Sequence, residues 1–291
     1  MKSRTILVFG GSGFLGSHVA DALSGAGYHV KIYDRKESKW IQANQEMIIG
    51  DLLDQDLINK HIKNCYAVYN FAAIADLNEA ILKPLETARI NILGNVQLLE
   101  ACKINQVKRY VYASSVYVHS REGGFYRCSK QASENYVVEY QKSFGLDYTI
   151  LRYGSLYGPR SDAQNGLWRI IKDALGTGIV KYEGNIESVR EYIHVEDAAR
   201  ASVIALGEEF KNEHIVLTGH ESLKVIDMLK MLSEIMGIQK EVEFENLHYA
   251  GHYIRTPYAY QTRLGRKYIP PMHVDLGQGL IQLIEEIQNN K

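Results

Sequence analysis

Tyr126 and Lys130 stand four residues apart at the start of a stretch with helical spacing, residues 126 to 144, so both side chains project from one helix face. An ammonium held beside a phenol favours the phenolate and lowers its pKa toward neutrality, which makes the phenol usable as a base. Ser115 closes the strand-like run 107 to 115 and could hydrogen-bond the same substrate oxygen. A Tyr-x-x-x-Lys spacing also arises by chance in a chain with 20 tyrosines, and a solvated Tyr and Lys face is the plain alternative. A second set of residues suits a phosphate. In TILVFGGSGFLG, residues 5 to 16, an apolar strand breaks at Gly10, Gly13 and Gly16 and resumes as a helix at Phe14. Unpaired backbone N–H groups and the positive end of a helix dipole meet there, where a pyrophosphate can sit; a tight turn without ligand is the rival reading. Asp34 ends the next strand about 20 residues further on, where a carboxylate accepts hydrogen bonds from an adenosine ribose. That combination points to a dinucleotide. Arg35 next door could instead hold a 2′-phosphate, so NAD is expected over NADP with the alternative open.

The elements that must position these groups alternate along the chain. Strands are expected at 5 to 9, 29 to 33, 46 to 49, 65 to 70 and 107 to 115, with helices at 14 to 23, 85 to 105 and 126 to 144. Small or polar residues follow several strands, Gly50-Asp51-Leu52 and Phe71-Ala72-Ala73 among them, which suits a parallel sheet binding ligands beyond its carboxyl ends. Later segments read as a helix at 167 to 175, a strand at 189 to 194, a helix at 196 to 205, a strand at 214 to 218, and helices at 223 to 236 and 276 to 287. At 291 residues and 46% hydrophobic the chain can bury a full core. A net charge of −1 leaves no basic excess for gripping nucleic acid. Cys65, Cys102 and Cys128 are widely spaced, which signals neither a disulfide framework nor a metal site and fits a reducing compartment. The apolar run after the basic residues 1 to 4 spans five residues, too short for a signal-peptide core or a membrane span, so a soluble cytoplasmic protein is expected.

The motifs in order resemble the extended short-chain dehydrogenases/reductases, in the branch of nucleotide-sugar epimerases and dehydratases. The matching pieces are GGSGFLG, Asp34, GDL at 50 to 52, NFAA at 70 to 73, NILGN at 91 to 95, YASSVYV at 112 to 118, YRCSK at 126 to 130, LRYGSLYGP at 151 to 159 and VREYIHVEDAA at 189 to 199. The resemblance implies an α/β fold with a Rossmann-type, doubly wound parallel sheet over residues 1 to 155 and a smaller mixed α/β substrate lobe over 156 to 291, with an interleaved boundary. It implies Tyr126 as catalytic base and acid, Lys130 as its partner and the holder of the nicotinamide ribose, and Ser115 as the anchor of the substrate hydroxyl, with Ser114 a rival for that role. It places NAD against Gly10, Gly13, Phe14, Leu15, Gly16, Asp34, Arg35, Asp51, Leu52, Phe71, Ala72, Ala73, Asn91, Ser114, Tyr126, Lys130 and Tyr153. It places a nucleotide-diphosphate sugar against Ser115, Tyr126, Ser155, Arg190 and Arg255.

Several departures bear on specificity. His119-Ser120 replace a common Tyr-Gly, only eleven positions separate Ser115 from Tyr126, and Ser155 stands where an asparagine is usual. Ala75 falls where some epimerases carry a lysine. Arg190 matches a diphosphate clamp, with a surface ion pair to Glu187 or Glu191 as the alternative; Arg255 lacks the aspartate that usually follows it. His194 and Trp168 read as structural. Relatives that dehydrate carry an acidic residue just after the catalytic hydroxyl, where Val116-Tyr117 stand here, so dehydration is disfavoured. An epimerase acting at C4 through a transient ketone is expected, with a nucleotide-sugar 4-ketoreductase as one alternative and a non-catalytic dinucleotide-binding scaffold or sensor as another. The resemblance also implies a C2 homodimer through the helices at 85 to 105 and 126 to 144, for which Val96, Leu99, Val137 and Tyr140 supply either the patch or the core.

Overall fold

Residues 5–9 point alternately to two faces, Ile6 and Val8 to one and Leu7 and Phe9 to the other, and all four are fully buried. A strand buried on both sides belongs inside a parallel sheet covered by helices. The computed structural model, which describes residues 4–185, 187–240, 242–245 and 252–257, has that arrangement.

Strands β1 (Thr5–Phe9), β2 (His29–Asp34), β3 (Gln45–Ile49), β4 (Ala67–Asn70), β5 (Arg109–Ser115) and β6 (Tyr148–Tyr153) alternate with helices α1 (Phe14–Gly25), α2 (Gln55–His61), α3 (Leu77–Leu82), α4 (Pro84–Thr87), α5 (Gly94–Ile104) and α6 (Gly124–Phe144). There follow β7 (Ser155–Tyr157), α7 (Gly166–Thr177), β8 (Lys181–Glu183), β9 (Val189–Arg190), β10 (Tyr192–His194), α8 (Val195–Ile204), β11 (Glu213–Leu217), β12 (Leu223–Lys224), α9 (Val225–Met236) and β13 (Glu243–Glu245). The main sheet has seven parallel strands in the order β11-β6-β5-β4-β1-β2-β3. One core, with Leu98, Tyr110 and Val137, lies between the sheet and α5 and α6; the other, with Val19, Ala20 and Ala198, lies beneath α1 and α8. Each fully buried Leu, Ile or Val in them contributes about 1.5–3 kcal/mol relative to exposure. The fold is the doubly wound Rossmann-type α/β arrangement. Its strand order reverses between β1 and β4, and the crevice at that switch point is where such sheets take ligands.

Four details differ from the sequence expectation. The strand expected at 214 to 218 is β11, which pairs with β6 and completes the main sheet rather than joining a separate lobe. The single helix expected over 85 to 105 is α4, one π-helical stretch Ala88–Leu93, and α5. The extra residue in that wide turn lets Asn91 face inward, where its carboxamide bonds both backbone groups of Ile74. The strand expected at 189 to 194 is two: β9 pairs antiparallel with β12, and β10 pairs parallel with β7. Trp168 is half-buried beside a cavity of about 380 Å³ rather than in the core. The helix expected at 276 to 287 lies outside the described residues. A smaller core of Ala174, Val180, Val225 and Leu229 holds α7 against α9.

Candidate active site

The side chains expected to be catalytic come from β5 and α6. β5 is buried along its whole length, and its last residue, Ser115, stays in extended backbone (φ −147°, ψ 153°) with its hydroxyl accepting from Tyr117 N at 3.3 Å. A turn, Val116–His119, and a short link then lead into α6. The link closes through Gly123 at φ 101°, where a Cβ would lie 2.7 Å from Tyr117 Cδ1, so the short connection requires glycine there. Tyr126 and Lys130 occupy the first turns of α6. The Ser115 hydroxyl lies beside the Tyr126 phenol, where it favours the phenolate. Lys130 is buried; its Nζ donates to Ala113 O at 2.6 Å and lies 5.7 Å from the centre of the Tyr126 ring.

The electrostatics of this trio differ from the simple expectation. Burial pushes the Tyr126 phenol up to about 12, with the Ser115 hydroxyl pulling the other way and Tyr253 adding to the rise. Burial also brings the Lys130 ammonium down to about 8, opposed by Glu134. In the protein by itself the phenol is therefore not lowered toward neutrality. Desolvation dominates, and the ammonium donor of Lys130 points at Ala113 O rather than at the phenol.

Behind the trio lies a polar cluster. Glu134, one turn beyond Lys130, is buried; its Oε1 accepts from Ser114 Oγ at 2.5 Å and Arg152 Nε at 3.0 Å, and its Oε2 from Arg152 Nη2 at 2.6 Å. His119 Nε2 lies 3.0 Å from Arg152 Nη1 and His214 Nδ1 2.7 Å from Arg152 Nη2, so each takes a further guanidinium donor. Ser114 thus faces Glu134 while Ser115 faces Tyr126, which separates the two candidate hydroxyls.

At the switch point, Gly10 has φ 73°, and a Cβ on it would lie 2.7 Å from Ala72 N; a Cβ on Gly16 would lie 2.2 Å from Gly10 O. Gly13 is exposed and precedes α1 without a side-chain cap. Asp34 accepts from Ser12 N and Lys36 N, both at 3.1 Å, while Arg35 is exposed. On the other side of the trio, Arg190 is buried, donates to Val189 O and Ile254 O at 3.1 and 3.2 Å, and lies 4.5 Å over the Tyr253 ring. Among the described residues it makes no ion pair with Glu187 or Glu191; Glu191 accepts from Ser222 instead.

Residues 6–218 match the model of the NAD dependent epimerase/dehydratase family. The chain belongs to that family. It is 27% identical to a UDP-glucose 4-epimerase from Thermotoga maritima solved with UDP-glucose (TM-score 0.80, covering 88% of this chain and 90% of that one). It is likewise 27% identical to a UDP-glucuronic acid 4-epimerase from Bacillus cereus solved with UDP-glucuronic acid and NAD (TM-score 0.79, 88% and 90%). A UDP-N-acetyl-alpha-D-glucosaminuronate decarboxylase from Bacillus cytotoxicus is 29% identical, covering 78% of each chain.

As a member of a NAD dependent family, the chain needs a cradle for the dinucleotide, and its residues fit one. Side chains at Gly10 and Gly16 would clash with backbone, while Gly13 opens outward at an uncapped helix N-terminus that can receive a pyrophosphate. Phe14 and Leu15 open α1, half-buried. Asp51 is exposed, with its carboxylate accepting from Leu53 N at 2.9 Å, and Leu52 is buried beneath it. Phe71, Ala72 and Ala73 are half-buried where β4 ends against Gly10. Two further residues occupy supporting positions. Asn91 spends its amide on Ile74 O and Ser129 Oγ, and the Tyr153 hydroxyl is 2.6 Å from Ser202 Oγ, tying the sheet to α8. Ser155 is half-buried on β7, and exposed Arg255 pairs by backbone with Val189, next to Arg190. His194 caps α8, accepting from Glu196 N at 3.4 Å. Sequence reasoning missed Glu134, Arg152, Tyr117 and His252. Only Glu134, four residues from Lys130, carried a local signal.

Proposed function

We propose that this protein is a nucleotide-sugar epimerase acting at C4 of the sugar, with NAD as cofactor. The observation that carries the reading is the buried Lys130, fixed to Ala113 O with its Nζ 5.7 Å from the centre of the Tyr126 ring, with Ser115 beside the same phenol. Ser115 holds the C4 hydroxyl, and Tyr126 takes its proton as the carbinol becomes a ketone and returns a proton in the reverse step. Lys130, fixed to Ala113 O, orients the nicotinamide ribose and supplies positive charge to the phenol. The bound dinucleotide supplies the hydride acceptor and, in the same turnover, the hydride donor. Arg190 neutralises the substrate's diphosphate, with Arg255 beside it, so that the keto sugar can present either face while its nucleotide stays held.

Residues from 156 onward supply the substrate side, interleaved with the sheet through α8 and β11. The thiols of Cys65, Cys102 and Cys128 are free, and no helix among the described residues is long and apolar enough to cross a membrane, which supports a cytoplasmic location. A C2 homodimer is part of the reading.

The test is interconversion of UDP-hexose C4 epimers without added NADH. Tyr126→Phe keeps the ring and should lower turnover by about 10² to 10⁴-fold while dinucleotide binding survives. Consumption of NADH in step with product would make the enzyme a ketoreductase, and full activity of Tyr126→Phe would remove the mechanism.

A further inference from the structure

The turn after β5, Val116–His119, is tied to its surroundings from two sides. α6 grips its backbone: Gln131 Nε2 donates to Val118 O at 2.9 Å, and Arg127 Nη1 to Ser120 O at 3.2 Å. The sheet holds it through a side chain, His119, whose Nε2 lies 3.0 Å from Arg152 Nη1 on β6. Two groups of the site hang on that turn. Ser115 leads into it, and the ring of Tyr117 stands edge-on to that of Tyr126, 6.2 Å between centroids. We infer that His119 is a positioning residue for Ser115 and Tyr126, and that it works only as a neutral imidazole, so that taking up a proton releases the turn from Arg152 and slows catalysis. The inference rests on the proposed roles of Ser115 and Tyr126 and adds a pH-sensitive support to them.

The geometry selects the neutral ring. A guanidinium offers donors and no acceptor, so Nε2 must present its lone pair to Arg152, and the ring proton then sits on Nδ1. Nδ1 is buried and has no partner among the described residues. A second proton would point from Nε2 at the Arg152 donors, setting two like charges against each other with no acceptor for either N–H. The groups that face His119 are Arg152 from β6, Glu134 from α6 and His214 from β11. Arg127 lies beyond Ser120, the Tyr148 hydroxyl is 3.3 Å from His214 Nε2, and His252 Nδ1 is 2.9 Å from the Tyr117 hydroxyl. Glu134 could favour a charged ring, but Ser114 and Arg152 already engage both of its oxygens.

Burial first, and then Arg152, accordingly lower His119 below the ordinary value of 6.5, with Glu134 opposing. The neutral contact is therefore complete above about 6.5 and is lost as pH falls through the lower folded value. Once released, the turn keeps its α6 contacts and loses its tie to β6. A hydroxyl displaced from the line of proton transfer costs rate rather than affinity, so kcat should fall while KM holds.

The test follows the NAD-loaded full chain from pH 8 to pH 4.5. Interconversion of UDP-hexoses gives kcat and KM. Amide hydrogen exchange read by mass spectrometry, corrected for the intrinsic effect of pH, gives the opening of residues 116 to 121, and NMR of the imidazoles locates the His119 titration. In wild type, kcat should fall about tenfold per pH unit below that titration, with KM steady and exchange rising at the same midpoint. His119→Gln keeps an acceptor for Arg152 that takes no proton; it should stay within about threefold of wild type at pH 8 and lose both transitions. His119→Phe, without an acceptor, should show about tenfold lower kcat and rapid exchange at every pH. The inference is overturned by a His119 that takes no proton down to pH 4.5, by wild-type exchange that stays flat through its titration, or by His119→Gln retaining the acid limb. The first two need no variant to fold. An exchange transition at the His119 midpoint without interconversion at any pH would support the pH-sensitive turn and remove the epimerase reading, and interconversion with flat exchange would do the converse.

Discussion

At the scale of single residues, the finding with most consequence is the balance between burial and charge around Tyr126. Its value of about 12 in the protein alone means that the phenolate needs positive charge beyond what Lys130 provides from its place on Ala113 O. A difference titration of wild type against Tyr126→Phe in the ultraviolet should find this phenol above a free tyrosine without dinucleotide, and lower once oxidised NAD is bound. Asp34 carries a second prediction. Its two carboxylate oxygens each accept one backbone N–H and keep a lone pair for a ribose hydroxyl, whereas a 2′-phosphate there would meet a like charge. NAD should bind about tenfold or more tightly than NADP, equivalent to about 1.4 kcal/mol; calorimetry giving the reverse order would mean that Arg35 dominates.

At the scale of elements, Glu134 and Arg152 rivet α6 to β6 of the sheet. Burial alone would raise the Glu134 carboxyl, but the hydrogen bonds and charge of Arg152, with the Ser114 hydroxyl, overcome it and hold the group at about 2. A carboxylate depressed in the folded state stabilises above its unfolded value near 4.5, and that contribution, about 3 kcal/mol, is lost as pH falls toward 2. Glu134→Gln leaves Arg152 without its charge partner. It should cost about 3–5 kcal/mol at neutral pH and flatten the fall of Tm between pH 4.5 and 2 in thermal melts. Much at this scale was legible in the chain itself. β1, α1, β2 and α6 follow the apolar period and their glycines, and the Tyr126–Lys130 face follows from four-residue spacing. The wide turn at Asn91 was not, because an inward asparagine in an apolar stripe has the same period whether the helix is regular or bulged. Nor was the Tyr117–His252 pair, whose partners are 135 residues apart with nothing local to join them.

At the scale of the whole molecule, Leu99, Val137 and Tyr140 are buried in the core, so they do not form the exposed patch considered for a dimer, and Val96 is half-buried. The outer faces of α5 and α6 instead expose Ile104, Tyr136 and Phe144, with Leu93 just before α5. If these pair across a twofold axis, light scattering should give a dimer mass for wild type and a monomer mass for Tyr136→Glu, which would place a charge in the apolar contact. The order of the sheet also sets a timetable. β11 closes against β6, yet about 60 residues separate Tyr153 from Glu213. At a synthesis rate of about 5–20 residues per second, a ribosome needs about 3–12 s to deliver the covering strand after β6 has emerged. For those seconds the nascent chain carries the bare backbone edge of a nearly finished sheet, a template for any passing strand. Slowing translation across 154 to 212 should therefore lower the yield of soluble enzyme, and a holdase that shields that edge should restore it.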